Sequence, residues 1–338
     1  MPNLIIDGSV WRGSELAQRE DWLLRLSDAE VGEIRAAADR VESKTMTVDD
    51  PDVDGSGLPL VSLRMRGVRE SLETGSGAVL IKGFPIDGSD IDSVARRFLA
   101  VAGCVGTAVS QSAEGERVFH VRDAGFAESD ARTRGPNTRK SLRFHTDRCD
   151  VIAFMCVKRA KLGGENQLVS SSAVYNEIAQ SRPDLLSVLM EPFWYQRHTV
   201  DLGNERAFCR QPIFSFTGGR FACSYLRVLI DRADASGEVD RLSDAQREAM
   251  DYLESVCERD AMQYRFYQEP GDVVLLNNWT TLHRRDAFVD YEEPELRRHL
   301  LRIWLSVPNS RPIDPMFREN FGATEAGALR GGMRASGG

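Results

Sequence analysis

The chain is predicted to be mainly β with flanking helices, and three observations carry that prediction. Between residues 149 and 306, short runs rich in Val, Ile, Leu, Phe and Tyr recur between turn signals such as Gly218-Gly219 and Glu269-Pro270-Gly271-Asp272. Helical spacing of apolar residues is confined to a few segments. At 338 residues the chain also suits one large β-rich domain, a class that often runs past ~200 residues around a single core.

The elements follow in order. Residues 1–75 are expected to form an N-terminal helical extension: Ser27 and Asp28 open a segment, 27–43, in which Val31, Ile34, Ala37, Ala38 and Val41 recur at helical spacing. The run 77–86 is apolar, ends in Gly83, Phe84 and Pro85, and suits a buried strand. A helix over 89–103 comes next. The stretch 107–140 turns polar around one short strand candidate, 117–122, and its length suggests a lid or binding loop. Strands are expected at 141–147, 149–158, 165–171, 193–198, 208–216, 220–225, 261–267, 272–277 and 298–306. Helices are expected at 172–190 and at 242–257, the latter opened by Ser243 and Asp244. The core therefore spans 76–308. Residues 309–338, with Gly322, Gly327, Gly331 and Gly332, read as a loosely held tail.

Charge and cysteine usage narrow the partners. A net charge of -8 with no basic stripe argues against nucleic acid, since tracking phosphates requires clustered Lys and Arg. No apolar run is long enough to cross a bilayer. Six cysteines without CxxC spacing read as reduced thiols, which predicts a cytoplasmic protein. The expected partner is a small molecule.

The densest chemical signal is His145 and Asp147 with His283. Strand alternation over 141–147 would put Ser141, Arg143, His145 and Asp147 on one side. A third ligand must come from elsewhere, and the chain has only five histidines. His120 and His198 lack a neighbouring ligand partner, and His299 is expected opposite Arg298 and Arg302. His283 remains. Two histidines and one carboxylate on one face of a metal leave three positions open, the facial triad of non-heme Fe(II) oxygenases. Further along, alternation aligns Arg298, Leu300, Arg302 and Trp304. Guanidiniums in so apolar a strand need anionic partners, and their forked donors match a dicarboxylate. The competing reading is a structural Arg–Glu pair.

At this point a resemblance can be stated. Phe144-His145-Thr146-Asp147, Gly163-Gly164-Glu165-Asn166, Asn278, His283 and Arg298 with Arg302 resemble, in that order and at similar spacing, the taurine dioxygenase (clavaminate synthase-like) family of Fe(II)/2-oxoglutarate oxygenases. The match runs over about 75–306. The resemblance implies a double-stranded β-helix (jelly-roll) core. It implies Fe(II) on His145, Asp147 and His283, and 2-oxoglutarate as co-substrate. Arg298 would hold the distal carboxylate, Arg302 would lie nearer the metal, and Asn166 would take a place usually filled by Thr or Ser. Related halogenases carry a small residue where Asp147 stands, so a carboxylate there favours hydroxylation. The expected reaction oxidises a small polar metabolite with release of succinate and CO2. Ser141, Arg143 and Arg122 are the expected substrate contacts, with Gln111 also near the mouth. The metabolite is expected to be an amino acid or a carboxylate, sulfonate or phosphonate. Two other classes stay open: a zinc hydrolase on the same three ligands, and a non-catalytic binding protein.

Overall fold

The computed structural model describes residues 3–42, 57–125, 135–198 and 206–333. Its largest sheet has seven strands. They lie in the order Leu23–Arg25, Ala78–Lys82, Val273–Asn277, Val151–Lys158, His299–Ser306 and Thr107–Val109, with Phe119–Val121 also paired to His299–Ser306. Only the first pair is parallel. A second sheet of three antiparallel strands, Gln263–Phe266, Asn166–Ser170 and Thr281–Arg285, packs against it.

Period-two alternation decides what each strand touches. Val151, Ala153, Met155, Val273, Leu275, Leu301, Ile303 and Leu305 turn outward onto the helices Pro59–Thr74 and Ile91–Gly103. Ile152, Val274, Leu276 and Trp304 turn inward to meet Leu168, Tyr264 and Phe266 of the smaller sheet. On the far side of that sheet, Val169 and Leu282 join the helices Ser171–Ser181, Pro183–Leu189 and Asp244–Cys257. The result is helices, sheet, sheet, helices. Each fully buried Val, Leu, Ile or Phe contributes about 1.5–3 kcal/mol. The space between the sheets is where polar residues are tolerated.

Several expectations need correction. The described chain is about 34% helix and 24% strand, so it is mixed rather than mainly β. The helix Pro59–Thr74 carried a legible signal, since Val61, Met65, Val68 and Leu72 are buried at four- and three-residue steps. Arg227–Ser236 is also helical. The single helix expected at 172–190 is two, because Pro183 cannot continue a helix and instead starts the next. The strand expected at 141–147 does not form: its only ladder contact is a bridge from His145 to His283. Thr281–Arg285 is a strand that was not expected. Within 107–140, Thr107–Val109 and Phe119–Val121 belong to the large sheet, so those parts are no lid, while 126–134 lies outside the described residues. Gly218 and Gly219 do make the expected hairpin, both at positive φ, between Phe214–Thr217 and Arg220–Cys223. Among the described residues no helix is long and apolar enough to cross a membrane.

The tail expectation also fails, up to Met333. Arg330 is 2% exposed and its Nε lies 2.7 Å from Asp150. Its guanidinium also donates to the Arg311 carbonyl and stacks 5.3 Å from the Trp279 ring. Asp150 in turn accepts from Trp279 Nε1 at 2.9 Å and from the Val307 N–H at 3.0 Å. Gly332 and Met333 then donate their N–H groups to Arg148 and Ser110. Arg330→Met strands a buried carboxylate and is expected to cost about 3 kcal/mol or more, the range for breaking one partner of a buried pair. Urea unfolding checks this. A midpoint within error of the wild type would mean that the tail contributes nothing to stability.

Candidate metal centre

His283 is placed by the strand Thr281–Arg285, and His145 is placed by pairing to it. Their backbones exchange two hydrogen bonds, at 3.1 Å and 3.0 Å, and the two rings lie 4.4 Å apart. Asp147 is set by a turn rather than a strand: its N–H donates to Asn278 Oδ1 at 3.0 Å, and the Cys149 N–H returns to the Asp147 carbonyl. Asn278 also donates to Cys149 Sγ at 3.0 Å, so one side chain grips both ends of that turn. Ligand atoms of His145, Asp147 and His283 all lie within 4.8 Å of one another.

The donor chemistry fits a metal ion. The Arg143 carbonyl, 2.8 Å away, can only accept, so His145 Nδ1 carries the proton and Nε2 is left with its lone pair. The Nε2 atoms of His145 and His283 stand 3.9 Å and 3.3 Å from Asp147 Oδ2. That oxygen is buried and has no hydrogen-bond partner. An orphaned carboxylate oxygen between two imidazole nitrogens is what a cation would satisfy. Burial, followed by the charge of His283, lowers the His145 pKa to about 4, so its ring is neutral and available as a ligand near neutral pH. Burial works against the Asp147 carboxylate, yet His283, Arg302 and His145 together hold its pKa well below the usual range.

Two arginines meet this centre from His299–Ser306 and the residue before it. Arg302 is 4% exposed, with Nη1 3.8 Å from Asp147 Oδ1 and Nε donating to Gln111 Oε1 at 2.7 Å. Arg298 is 5% exposed and has no ion pair among the described residues; its guanidinium stacks 5.1 Å from the Phe288 ring. Burial lowers the pKa of both, Arg298 to about 10. Gly163 and Gly164, both at positive φ, let the backbone pass close by. A Cβ on Gly163 would lie 2.4 Å from the Ala287 carbonyl oxygen, and one on Gly164 would lie 3.6 Å from Arg298 Nε. Asn166 follows, donating to Gln268 Oε1 at 3.3 Å. His145, Asp147, His283, Asn166, Arg298 and Arg302, with Phe154, Leu168 and Trp304, line one cavity of about 420 Å³.

The profile of the family described as "Taurine catabolism dioxygenase TauD, TfdA family" matches residues 44–304. The chain belongs to this family. TauD/TfdA dioxygenases are non-heme iron enzymes that consume 2-oxoglutarate, and this member has curated relatives along nearly its whole length. FR-33289 synthase of Streptomyces rubellomurinus is 31% identical over 308 residues, 90% of each chain. Taurine hydroxylase-like protein SAT17 of Stachybotrys chartarum is 25% identical over 335 residues, 93% of this chain and 85% of SAT17. The fold is that of an asparagine oxygenase solved with Fe(II), 2S,3S-3-hydroxyasparagine and succinate, with a TM-score of 0.67 and 16% identity over 84% of this chain and 93% of that one. It is similar too to the non-heme iron oxygenase OrfP solved with Fe, succinate and (3S)-hydroxy-L-Arg, with a TM-score of 0.62 and 14% identity over 84% and 94%.

In this TauD/TfdA dioxygenase the expected substrate contacts are scattered. Ser141 and Arg143 line the cavity, but both are exposed, and Arg143 pairs with Glu254 at 3.2 Å. Because 141–147 is not a strand, they do not share the buried, metal-facing side of His145. Arg122 is exposed and is absent from the cavity wall. Gln111 lies deep inside, clamped between Arg302 and the Arg117 carbonyl, where it orients a guanidinium. Arg285, which sequence reasoning passed over, is buried in the same wall. Its signal was available: in His283-Arg284-Arg285, period two places it on the ligand's side.

Proposed function

We propose that this dioxygenase hydroxylates a small anionic metabolite, with Fe(II) held by His145, Asp147 and His283 and 2-oxoglutarate held by Arg298, Arg302 and Asn166, releasing succinate and CO2. One observation carries the reading. Three ligand atoms converge within 4.8 Å in the same cavity as Arg298, a buried guanidinium with no carboxylate of its own among the described residues. Such a cation calls for an anion, and a fork suits a carboxylate. The two packed sheets around this cavity we read as the double-stranded β-helix, with 76–308 as the core of a single oxygenase domain. A zinc hydrolase would have no use for Arg298 and Arg302.

Bound iron would supply the activation of dioxygen, one oxygen atom ending in succinate and the other in the product. The chain's own part is positional. The Arg143 carbonyl fixes the tautomer of His145, Asn278 fixes the Asp147 turn, and Gln111 aims Arg302 at the metal end, where a C1 carboxylate or a substrate anion can meet it. Phe154, Leu168, Val274 and Leu276 exclude water from the inner wall.

Of the nine arginines on the described cavity wall, Arg143, Arg227 and Arg284 pair with Glu254, Asp251 and Glu258, but Arg285 and Arg298 have no ion pair among the described residues and Asp147 is the wall's one carboxylate, which favours an anionic substrate over a cationic one. The hydroxylated amino acids bound to the asparagine oxygenase and to OrfP support a substrate of amino-acid size. The test is succinate release from 2-oxoglutarate with Fe(II) against a panel of amino acids, carboxylates, sulfonates and phosphonates. An anionic compound should stimulate release and gain one oxygen. Stimulation by cations alone, or a product that has lost two hydrogens, would contradict the reading.

A further inference from the structure

Arg285 is assigned no role by the reaction just proposed, yet it is one of the most confined cations in the protein. It is 6% exposed and makes no ion pair among the described residues. Its Nη2 donates to the carbonyls of Thr138 and Lys140 at 3.0 Å and 2.9 Å, and its Nη1 to that of Asp286 at 3.3 Å. The Leu142 N–H returns to the Arg285 carbonyl at 3.0 Å, so one residue clasps segment 138–142 just before His145.

The second relation is to Arg298. The Phe288 ring carries both guanidiniums, Arg285 at 4.6 Å and Arg298 at 5.1 Å. Of the nearby carboxylates, Asp286 accepts from Gln167 Nε2, Asp123 pairs with Arg139, and Asp290 accepts the Arg298 N–H through Oδ1 while its Oδ2 is buried without a hydrogen-bond partner; none forms an ion pair with either guanidinium among the described residues. Two buried like charges on one ring repel, and carbonyl bonds and ring stacking only partly offset that cost. A bound anion relieves the repulsion.

We infer that Arg285 is a positioning residue for the co-substrate: with Arg298 it forms a two-guanidinium pocket on Phe288 for the distal carboxylate. The inference rests on the 2-oxoglutarate reading above. Arg285 acts through its field and through Arg298 rather than by touching the ligand. Its effect must therefore depend on the charge of the distal group.

The experiment titrates the anaerobic Fe(II) enzyme with 2-oxoglutarate and, separately, with 2-oxoglutaramate, which has the same length but a neutral distal amide. The weak visible charge-transfer band reports binding of each. Arg285→Gln should weaken 2-oxoglutarate about tenfold or more, as expected for losing a charge a few ångströms away at low effective dielectric. Arg285→Lys, which keeps the charge, should recover most of that loss. For 2-oxoglutaramate the wild type and Arg285→Gln should agree within about twofold, and iron affinity should not change. Equal weakening of both ligands would reduce Arg285 to a scaffold residue and overturn the inference. So would an unchanged 2-oxoglutarate affinity in Arg285→Gln. A wild type that shows no band with 2-oxoglutarate would instead count against the proposed function.

Discussion

His283→Ala should abolish the visible band that forms when Fe(II) and 2-oxoglutarate are added together without oxygen, and turnover with it. His283 supplies one of the three ligand atoms that converge among the described residues, and its Nε2 is 3.3 Å from the orphaned Asp147 oxygen. No other histidine joins the converging ligands among the described residues: His120 and His299 are occupied with one another at 2.9 Å on Phe119–Val121 and His299–Ser306, and His198 lines the same cavity but lies outside the ligand group. Loss of a partner outside the ligand set typically costs 10–100-fold in metal affinity, so loss of a direct ligand should exceed about 100-fold. The fold should survive, since the backbone bonds between His145 and His283 do not involve the side chain. Metal content after anaerobic reconstitution and the band itself are the two readouts. A variant that keeps both, and turns over normally, would remove His283 from the site.

The second large effect is expected at Arg298. Arg298→Lys should weaken 2-oxoglutarate by about 2 kcal/mol or more, roughly 30-fold, while leaving iron affinity nearly unchanged. The guanidinium is a planar fork stacked on Phe288 and wedged beside Gly164. An ammonium is a point charge that cannot span a carboxylate in the same way. Burial sharpens the contrast, because Arg298 already pays a desolvation cost that lowers its pKa to about 10, and a lysine there would be pushed further toward its neutral form. Titration of the band with 2-oxoglutarate measures the effect. An unchanged affinity would move the distal-carboxylate role to Arg302.

Much of the outward-facing architecture was legible because it obeys apolar periodicity. Val151–Lys158, Val273–Asn277 and His299–Ser306 were anticipated within a residue or two, and in the last of these Leu301, Ile303 and Leu305 do face the helices while Leu300, Arg302 and Trp304 face inward. Thr281–Arg285 was missed for the opposite reason. Its inward positions are Thr281, His283 and Arg285, so the residues that serve the site replace the apolar ones that would have announced a strand. The segment 141–147 erred the other way: its alternation of small and charged residues looks like a strand, but the chain turns at Asp147 to meet Asn278.

The candidate ligands were visible from their scarcity and from the HxD spacing, and the arginine pair from its place in an apolar strand. Their supports were not. Gln111, Asn278 and Asp150 act through contacts across 191, 131 and 180 residues, and no local pattern encodes such a distance. The tail was misjudged because its glycines suggest freedom. Gly331 and Gly332 are instead close-approach positions, where a Cβ would lie 2.7 Å and 2.9 Å from the carbonyl oxygens of Arg148 and Ser110.

The measurement that bears most directly on the central claim is the anaerobic titration of the metal-free protein, first with Fe(II) and then with 2-oxoglutarate, followed by visible absorption and metal analysis. One iron per chain should bind, and a weak charge-transfer band should appear only when both are present, since a bidentate keto acid needs open positions beside His145, Asp147 and His283. The same spectrum with either component alone or with both together, or an activity that requires zinc and ignores 2-oxoglutarate, would contradict it.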